Sequence, residues 1–226
     1  MKKTLRTIAA FFAVLLIGVA LSPMLFYLYG LHGIPDEALA APPQVLPATA
    51  TSTLWASLGG AETPQIERNN PYTFLWRFFN ETSHPQAPES RATELGSQAL
   101  LKRVPDFWSL STIRRLLVSV SAYIWVGRHW TAEQALSAYL GQAYFGHGFF
   151  GLEAAAQGYF GSPSAQLGWE QMAHLVVVTR APSRFDPWCN PDRNQEAARQ
   201  TLSRLPQAQL DKPIHLIAAP ADACSE

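Results

Sequence analysis

Three stretches in the second half of the chain repeat apolar residues at helical spacing. Ile113, Leu116, Leu117, Val120 and Ile124 fall on one stripe, with Gly127 as a stop just beyond. Thr131 followed by Gln134 has the capping-box form and opens a second stripe through Leu136, Tyr139, Leu140, Ala143 and Tyr144. Trp169, Met172, Ala173, Val176 and Val177 make a third, which ends before Pro182. No segment alternates long enough to require a strand, so the pattern predicts an all-α fold whose helices bury their stripes against one another. Between residues 54 and 110 the periodicity is poorer. There Phe74, Trp76, Phe78 and Phe79 read as core in preference to a lipid-contacting shoulder.

The beginning of the chain follows a different rule. Lys2, Lys3 and Arg6 precede an uncharged run from Ile8 to Tyr29, and a helix needs only about 20 such residues to cross a hydrocarbon core. The basic flank belongs on the cytoplasmic side, which places the rest of the chain outside. An uncleaved anchor is preferred to a signal peptide, whose apolar region is about 7 to 15 residues long. Ala38-Leu39-Ala40 resembles a cleavage site but lies far from the run. The sequence therefore divides into an anchor (1–30), an extended stalk with Pro35, Pro42, Pro43 and Pro47 (31–53), a helical domain (54–206) and a tail (207–226).

Composition narrows the function classes. The chain is 48% hydrophobic and 15% charged, against about 25% charged in a typical soluble domain, which excludes disorder. Lys+Arg and Asp+Glu balance at 17 each, so a large nucleic-acid-binding surface is not expected. Without Lys2, Lys3 and Arg6 the balance is 14 to 17, and it names no partner. Two cysteines, Cys189 and Cys224, exclude a disulfide-dense scaffold and a cysteine-rich zinc site; they could pair or remain thiols. His129 and His147 have no metal-ligand spacing and read as surface or satisfied histidines. Gly146, Gly148 and Gly151 lack a strand-glycine-helix context and read as a turn between helices.

The segment from Ala138 to Arg193 carries an ordered series: Tyr139, Leu140, Gln142, Tyr144, Phe145, Gly146, Gly148, Gly151, Glu153, Ala154 to Ala156, Tyr159, Phe160 and Gly161, then Ala181-Pro182-Ser183, Asp186-Pro187 and Asn190-Pro191. This series resembles the peptidoglycan glycosyltransferases of glycosyltransferase family 51. The resemblance is firm from about Ser111 to Leu205 and loose from Leu54 to Asp106. It implies a lysozyme-like helical domain with one N-terminal transmembrane helix, on the periplasmic face of the inner membrane. It also implies binding of lipid II or a nascent glycan strand, with cell-wall synthases as further partners. Tyr139, Phe145, Gly146, Gly148, Glu153, Tyr159, Phe160, Gly161, Pro182 and Asp186 then belong to the scaffold, with Glu153 expected to brace the turn at Gly151.

The positions that carry chemistry in that family depart from its pattern. The first glutamate belongs to EDxxFxxHxG, and Ser57 and Leu58 stand where the acidic pair would fall. GxSTITQQ has become Ala92 to Ala99, retaining Gln98, with Lys102 beyond it. RKxxE falls on Arg114 to Val118 or Arg115 to Ser119, and either register loses the second glutamate. The remaining polar positions of the pattern are Ala132, Gly141, Ser162 and Ala197. General acid-base help alone is worth about 10² to 10⁴ in rate, so the resemblance implies a pseudoenzyme. Replacement acids would be Glu62, Glu67 or Glu94; candidate lipid II and pyrophosphate contacts are Gln98, Lys102, Arg114, Arg115 and Gln142. Active members commonly use a divalent cation, but no residue pattern here supports a metal or other cofactor.

Overall fold

The computed structural model describes residues 2–61, 63–80, 87–206, 214–221 and 223–224. The elements are helices α1 (Lys2–Leu31), α2 (Asp36–Leu39), α3 (Ala48–Ser57), α4 (Pro71–Asn80), α5 (Pro88–Leu101), α6 (Thr112–His129), α7 (Ala132–Leu140), α8 (Leu152–Phe160), α9 (Trp169–Val178) and α10 (Pro191–Leu202). Strands are absent among the described residues, apart from one isolated bridge between Tyr144 and Phe150.

α9 is the central helix. Leu175, Val176, Val177 and Val178 are all buried along with Met172 and Ala173, because α3, α8 and α10 pack around it. Its last turn, Leu175 to Val178, is apolar all round and has to be enclosed in this way. Its main cluster gathers Leu54, Leu136, Leu140, Phe145, Leu152, Tyr159 and Met172, each fully buried aliphatic contributing about 1.5–3 kcal/mol. A second cluster joins Ile34, Leu100, Val118, Ala122, Val126 and Trp130 from the α1–α2 link, α5 and α6.

The expected capping box forms: Gln134 N–H donates to Thr131 Oγ1 at 3.2 Å, and Thr131 N–H donates to Gln134 Oε1 at 2.8 Å. The stripe behind it is shorter than expected, since α7 ends at Leu140 and half-exposed Tyr144 lies in the following loop. α6 is present, but its inward face is Val118, Ser121, Ala122, Ile124 and Val126, while Ile113 and Leu116 point outward at 74% and 62% exposure. The helix also runs on through Gly127. That residue is a point of close approach, where a Cβ would meet the Glu67 carbonyl at 2.3 Å.

α1 contains one segment, Ala10–Leu31, long and apolar enough to cross a membrane, and the rest of the chain covers almost none of it. Its end packs on α6, with Ser121 Oγ donating to the Tyr27 carbonyl at 3.0 Å. Residues 34–53 do not extend as a free stalk. Ile34, Ala38 and Ala50 are buried, and the Leu39 carbonyl accepts from both Trp125 Nε1 and Trp130 Nε1. The aromatic residues of α4 depart from the core reading as well: Trp76, Phe78 and Phe79 are 70%, 71% and 75% exposed, on a helix that touches α1. Phe74 alone turns inward, against Tyr123.

Cys189 and Cys224 form a disulfide with Cα atoms 5.4 Å apart. It pins the chain end over the domain, and within residues 214–221 Trp188 Nε1 donates to the Ile217 carbonyl at 3.0 Å and Ile217 N–H to the Tyr159 carbonyl at 2.8 Å.

Candidate functional site, a cleft between four helices

A cleft of about 920 Å³ opens between the end of α3, one face of α5, the turn after α9 and the start of α10. Its floor is Leu54, Leu58 and Leu95, with Tyr139 beside them. Burial pushes the Tyr139 phenol up, so it stays a neutral hydroxyl. Polar groups stand around this floor: Glu94 and Gln98 from α5, and Asp192, Arg193, Glu196 and Gln200 from α10. Gln98 donates to Glu94 Oε1 at 3.2 Å and Gln200 to Glu196 Oε1 at 2.9 Å, the i, i+4 pairing that a helix face allows. Arg91, Arg180 and Arg184 complete the lining. Among the described residues the carboxylates of the cleft do not gather into a group of three that could hold a metal.

The residues expected to carry chemistry are dispersed. Ser57 and Leu58 do line the cleft, but the Ser57 hydroxyl donates to the Leu54 carbonyl of its own helix at 2.7 Å. Ala197 lines it too. The second family acid is replaced by Val118 or by Ser119, according to register, and the two differ in burial. Val118 is 1% exposed and packs with Ile34 of the α1–α2 link, and the Ser119 hydroxyl donates to the Arg115 carbonyl at 2.9 Å.

Among the candidate replacement acids, Glu94 lies in the cleft. Glu67 lies elsewhere, paired with Arg77 and accepting from Tyr123 Oη at 2.5 Å. Glu62 falls outside the described residues. Of the candidate ligand contacts, Gln98 is in the lining. Lys102 and Gln142 instead latch α5 to the loop after α7, through Lys102 Nζ to the Gln142 carbonyl (3.1 Å) and Gln142 Nε2 to the Ala99 carbonyl (2.9 Å). Arg115 stacks over Trp108 at 5.9 Å, and exposed Arg114 lies outside the cleft.

Phe145, Gly146, Tyr159 and Asp186 of the scaffold form a second, buried assembly. Tyr159 Oη donates to the Phe145 carbonyl at 2.8 Å. Asp186 accepts from the backbone N–H of Trp188 (2.8 Å) and of Cys189 (3.0 Å), and pairs with His147 Nε2 at 2.5 Å. Gly146, Gly148 and Gly151 all have positive φ, which shapes the turn between α7 and α8, while Gly161 caps α8 in the left-handed region. Pro182 sits near Gly146, and Phe160 is buried in the main cluster. Glu153 braces a different turn from the one expected. It accepts from Ser164 N–H at 3.0 Å, and bonds from the Ser164 hydroxyl and backbone hold its carboxyl below the usual range. Among the described residues one group could gather around a metal: ligand atoms of His147, Asp186 and Cys189 lie within 4.8 Å of one another, but the Cys189 sulfur is committed to the disulfide. His129 stacks on Trp125 at 3.7 Å.

Arg91, Arg180, Arg184, Phe185 and Glu196 have no signal in the periodicity. Arg184 and Phe185 sit inside the matched series, but as its variable positions.

Sequence comparison agrees with this arrangement of scaffold. The family profile described as Transglycosylase matches residues 98–206, from Gln98 in the cleft to the residues after α10. Over residues 98–206, just under half of its length, the chain is transglycosylase-like. Its transglycosylase-like region is similar to the biosynthetic peptidoglycan transglycosylase of Nitrosomonas eutropha, at 40% identity over 78 residues, covering 34% of this chain and 32% of that one. It is also similar to penicillin-binding protein 1A of Pseudomonas aeruginosa, at 29% over 123 residues, 53% of this chain and 15% of that protein. Penicillin-binding protein 1F of Bacillus subtilis is 35% identical over 78 residues, 34% of this chain and 11% of that protein. The chain thus spans a third or less of the length of these relatives.

Proposed function

We propose that this protein is a membrane-anchored glycan-binding member of the cell-wall synthesis machinery that no longer polymerises. α1 spans the inner membrane, the transglycosylase-like domain stands on its periplasmic side, and the exposed aromatic residues of α4 beside α1 rest at the lipid surface. The cleft takes the sugars of lipid II or of a nascent strand. One observation carries the loss of turnover: Ser57 and Leu58 stand in the cleft where the first acid would fall, and the second position is either buried Val118, clustered with Ile34, or Ser119, and neither is an acid. Without a base in hydrogen-bond reach of the attacking hydroxyl, glycosyl transfer loses its proton acceptor. The test is lipid II binding by the detergent-solubilised full chain, measured beside polymerisation. Binding without glycan product is expected; robust glycan chains would refute the reading.

A second reading has one observation in its favour. Glu94 on α5 and Glu196 on α10 line the same cleft and could serve as relocated acids. It requires polymerisation by the wild type that Glu94→Gln and Glu196→Gln each abolish. Docking to cell-wall synthases is compatible with either reading, and site-specific cross-linking in cells checks it.

A further inference from the structure

We propose that Arg91, Arg180 and Arg184 form an anion subsite of the cleft, which selects glycans bearing a carboxylate or phosphate over neutral ones. The inference rests on the reading of the cleft as a glycan site and adds the chemical class of sugar that it takes.

The three guanidinium groups come from separate places: Arg91 from the first turns of α5, Arg180 from just beyond α9, and Arg184 from the turn that follows. Phe185 holds two of them. The guanidinium carbons of Arg180 and Arg184 lie 5.6 and 5.4 Å from its ring centre, both inside cation-π range. The charges acting on Arg180 are all of its own sign, from Arg91, Arg204 and Arg184; burial first and then this repulsion lower its pKa. Arg204 is committed elsewhere, donating to the Ala56 carbonyl at 3.2 Å. Among the described residues none of Arg91, Arg180 and Arg184 has a carboxylate within ion-pair distance; the ion pairs found are Arg77 with Glu67 and His147 with Asp186.

Crowded, like-charged forks without a counter-ion are unfavourable in the empty cleft, and an arriving anion removes that penalty while matching the fork geometry. The rest of the lining defines the body of the ligand. Glu94, Asp192 and Glu196 repel a chain that is anionic throughout, which disfavours nucleic acid and polyphosphate. Carboxylates and amides accept from and donate to sugar hydroxyls, and Tyr139 lines the cleft beside them. A hydroxyl-rich ligand with its acidic group at one end fits this division.

The acidic group has two possible sources: the lactyl or stem-peptide carboxylate of a strand, or the phosphate of a lipid-linked sugar. Binding to the detergent-solubilised full chain is measured for three probes: a neutral N-acetylglucosamine tetramer, a tetrasaccharide alternating N-acetylglucosamine with muramic acid that keeps its free carboxylate, and lipid II. The carboxylate probe is expected to bind at least about tenfold more tightly than the neutral one, the worth of a single charge-assisted hydrogen bond. That advantage should disappear in Arg180→Gln/Arg184→Gln and shrink with added salt in the wild type, a readout that needs no variant. An advantage for lipid II alone, lost in the same variant, assigns the subsite to phosphate. Equal binding of all three probes, insensitive to salt and to the substitutions, overturns the subsite while leaving the glycan reading standing. No binding of any probe overturns both.

Discussion

Gly96 stands where α5 crosses α7, and replacing it tests how firmly the cleft wall is fixed. A Cβ there would lie 2.6 Å from Ala135 Cβ, 3.0 Å from Val126 Cγ1 and 3.1 Å from Ala135 Cα. Ala in place of Gly in a helix interior gains about 1 kcal/mol from reduced backbone entropy. The opposing cost is overpacking, about 1–3 kcal/mol in a core that cannot yield. Here it cannot, because Ala135 is fully buried and presents backbone-bound atoms with no flexible side-chain end. A 2.6 Å contact puts the cost at the upper end, about 2–3 kcal/mol, so after the entropy gain Gly96→Ala is expected to destabilise by about 1–2 kcal/mol, a fall of roughly 2–8 °C in Tm for a chain of this size. Thermal unfolding of the detergent-solubilised full chain, followed by circular dichroism, measures it. Gly96→Ala/Ala135→Gly moves the methyl to the other helix and should recover part of the loss, giving a coupling energy between the two sites. A Tm for Gly96→Ala at or above the wild type would refute the reasoning. Because α5 also carries Arg91, Glu94 and Gln98, the single variant should bind glycan more weakly as well.

Tyr159→Phe removes the donor to the buried Phe145 carbonyl and should cost about 1–3 kcal/mol in denaturant unfolding. His174 is held below its ordinary pKa, chiefly by burial, so the fold keeps it neutral while the unfolded chain takes up a proton below about pH 6.5. Stability should accordingly fall as pH drops below that value, by at most about 1.4 kcal/mol per unit from this group, and His174→Gln should flatten the slope. Cys224→Ser releases the pinned segment, and hydrogen exchange should rise at residues 214–221 with little change at α9.

The sequence made the helices legible where local chemistry specified them. Thr131 and Gln134 satisfy each other's backbone groups, and α9 repeats Trp169, Met172, Ala173, Val176 and Val177 at helical spacing, so neither needs knowledge of a partner. Faces were harder to read. Ile113 and Leu116 looked inward because they repeat, yet α6 turns Val118, Ser121 and Ala122 toward α1, a choice made by a segment eighty or more residues away in the chain. Gly127 and the prolines of 34–53 were misjudged for the same reason, since close approach and packing overrode local breaking tendencies. In the cleft, Ser57 and Glu94 were reached through motif register. Arg91, Arg180 and Arg184 meet only by tertiary contact, which spacing cannot express.

The hydrogen bond from Ser121 to the carbonyl of Tyr27 ties the last turns of the N-terminal helix to the body. A domain joined in this way has no tether on which to swing. On the proposed reading as a membrane-anchored glycan binder, its groove stays at one height and one heading above the lipid, so that only strands passing close to the bilayer come within its grasp.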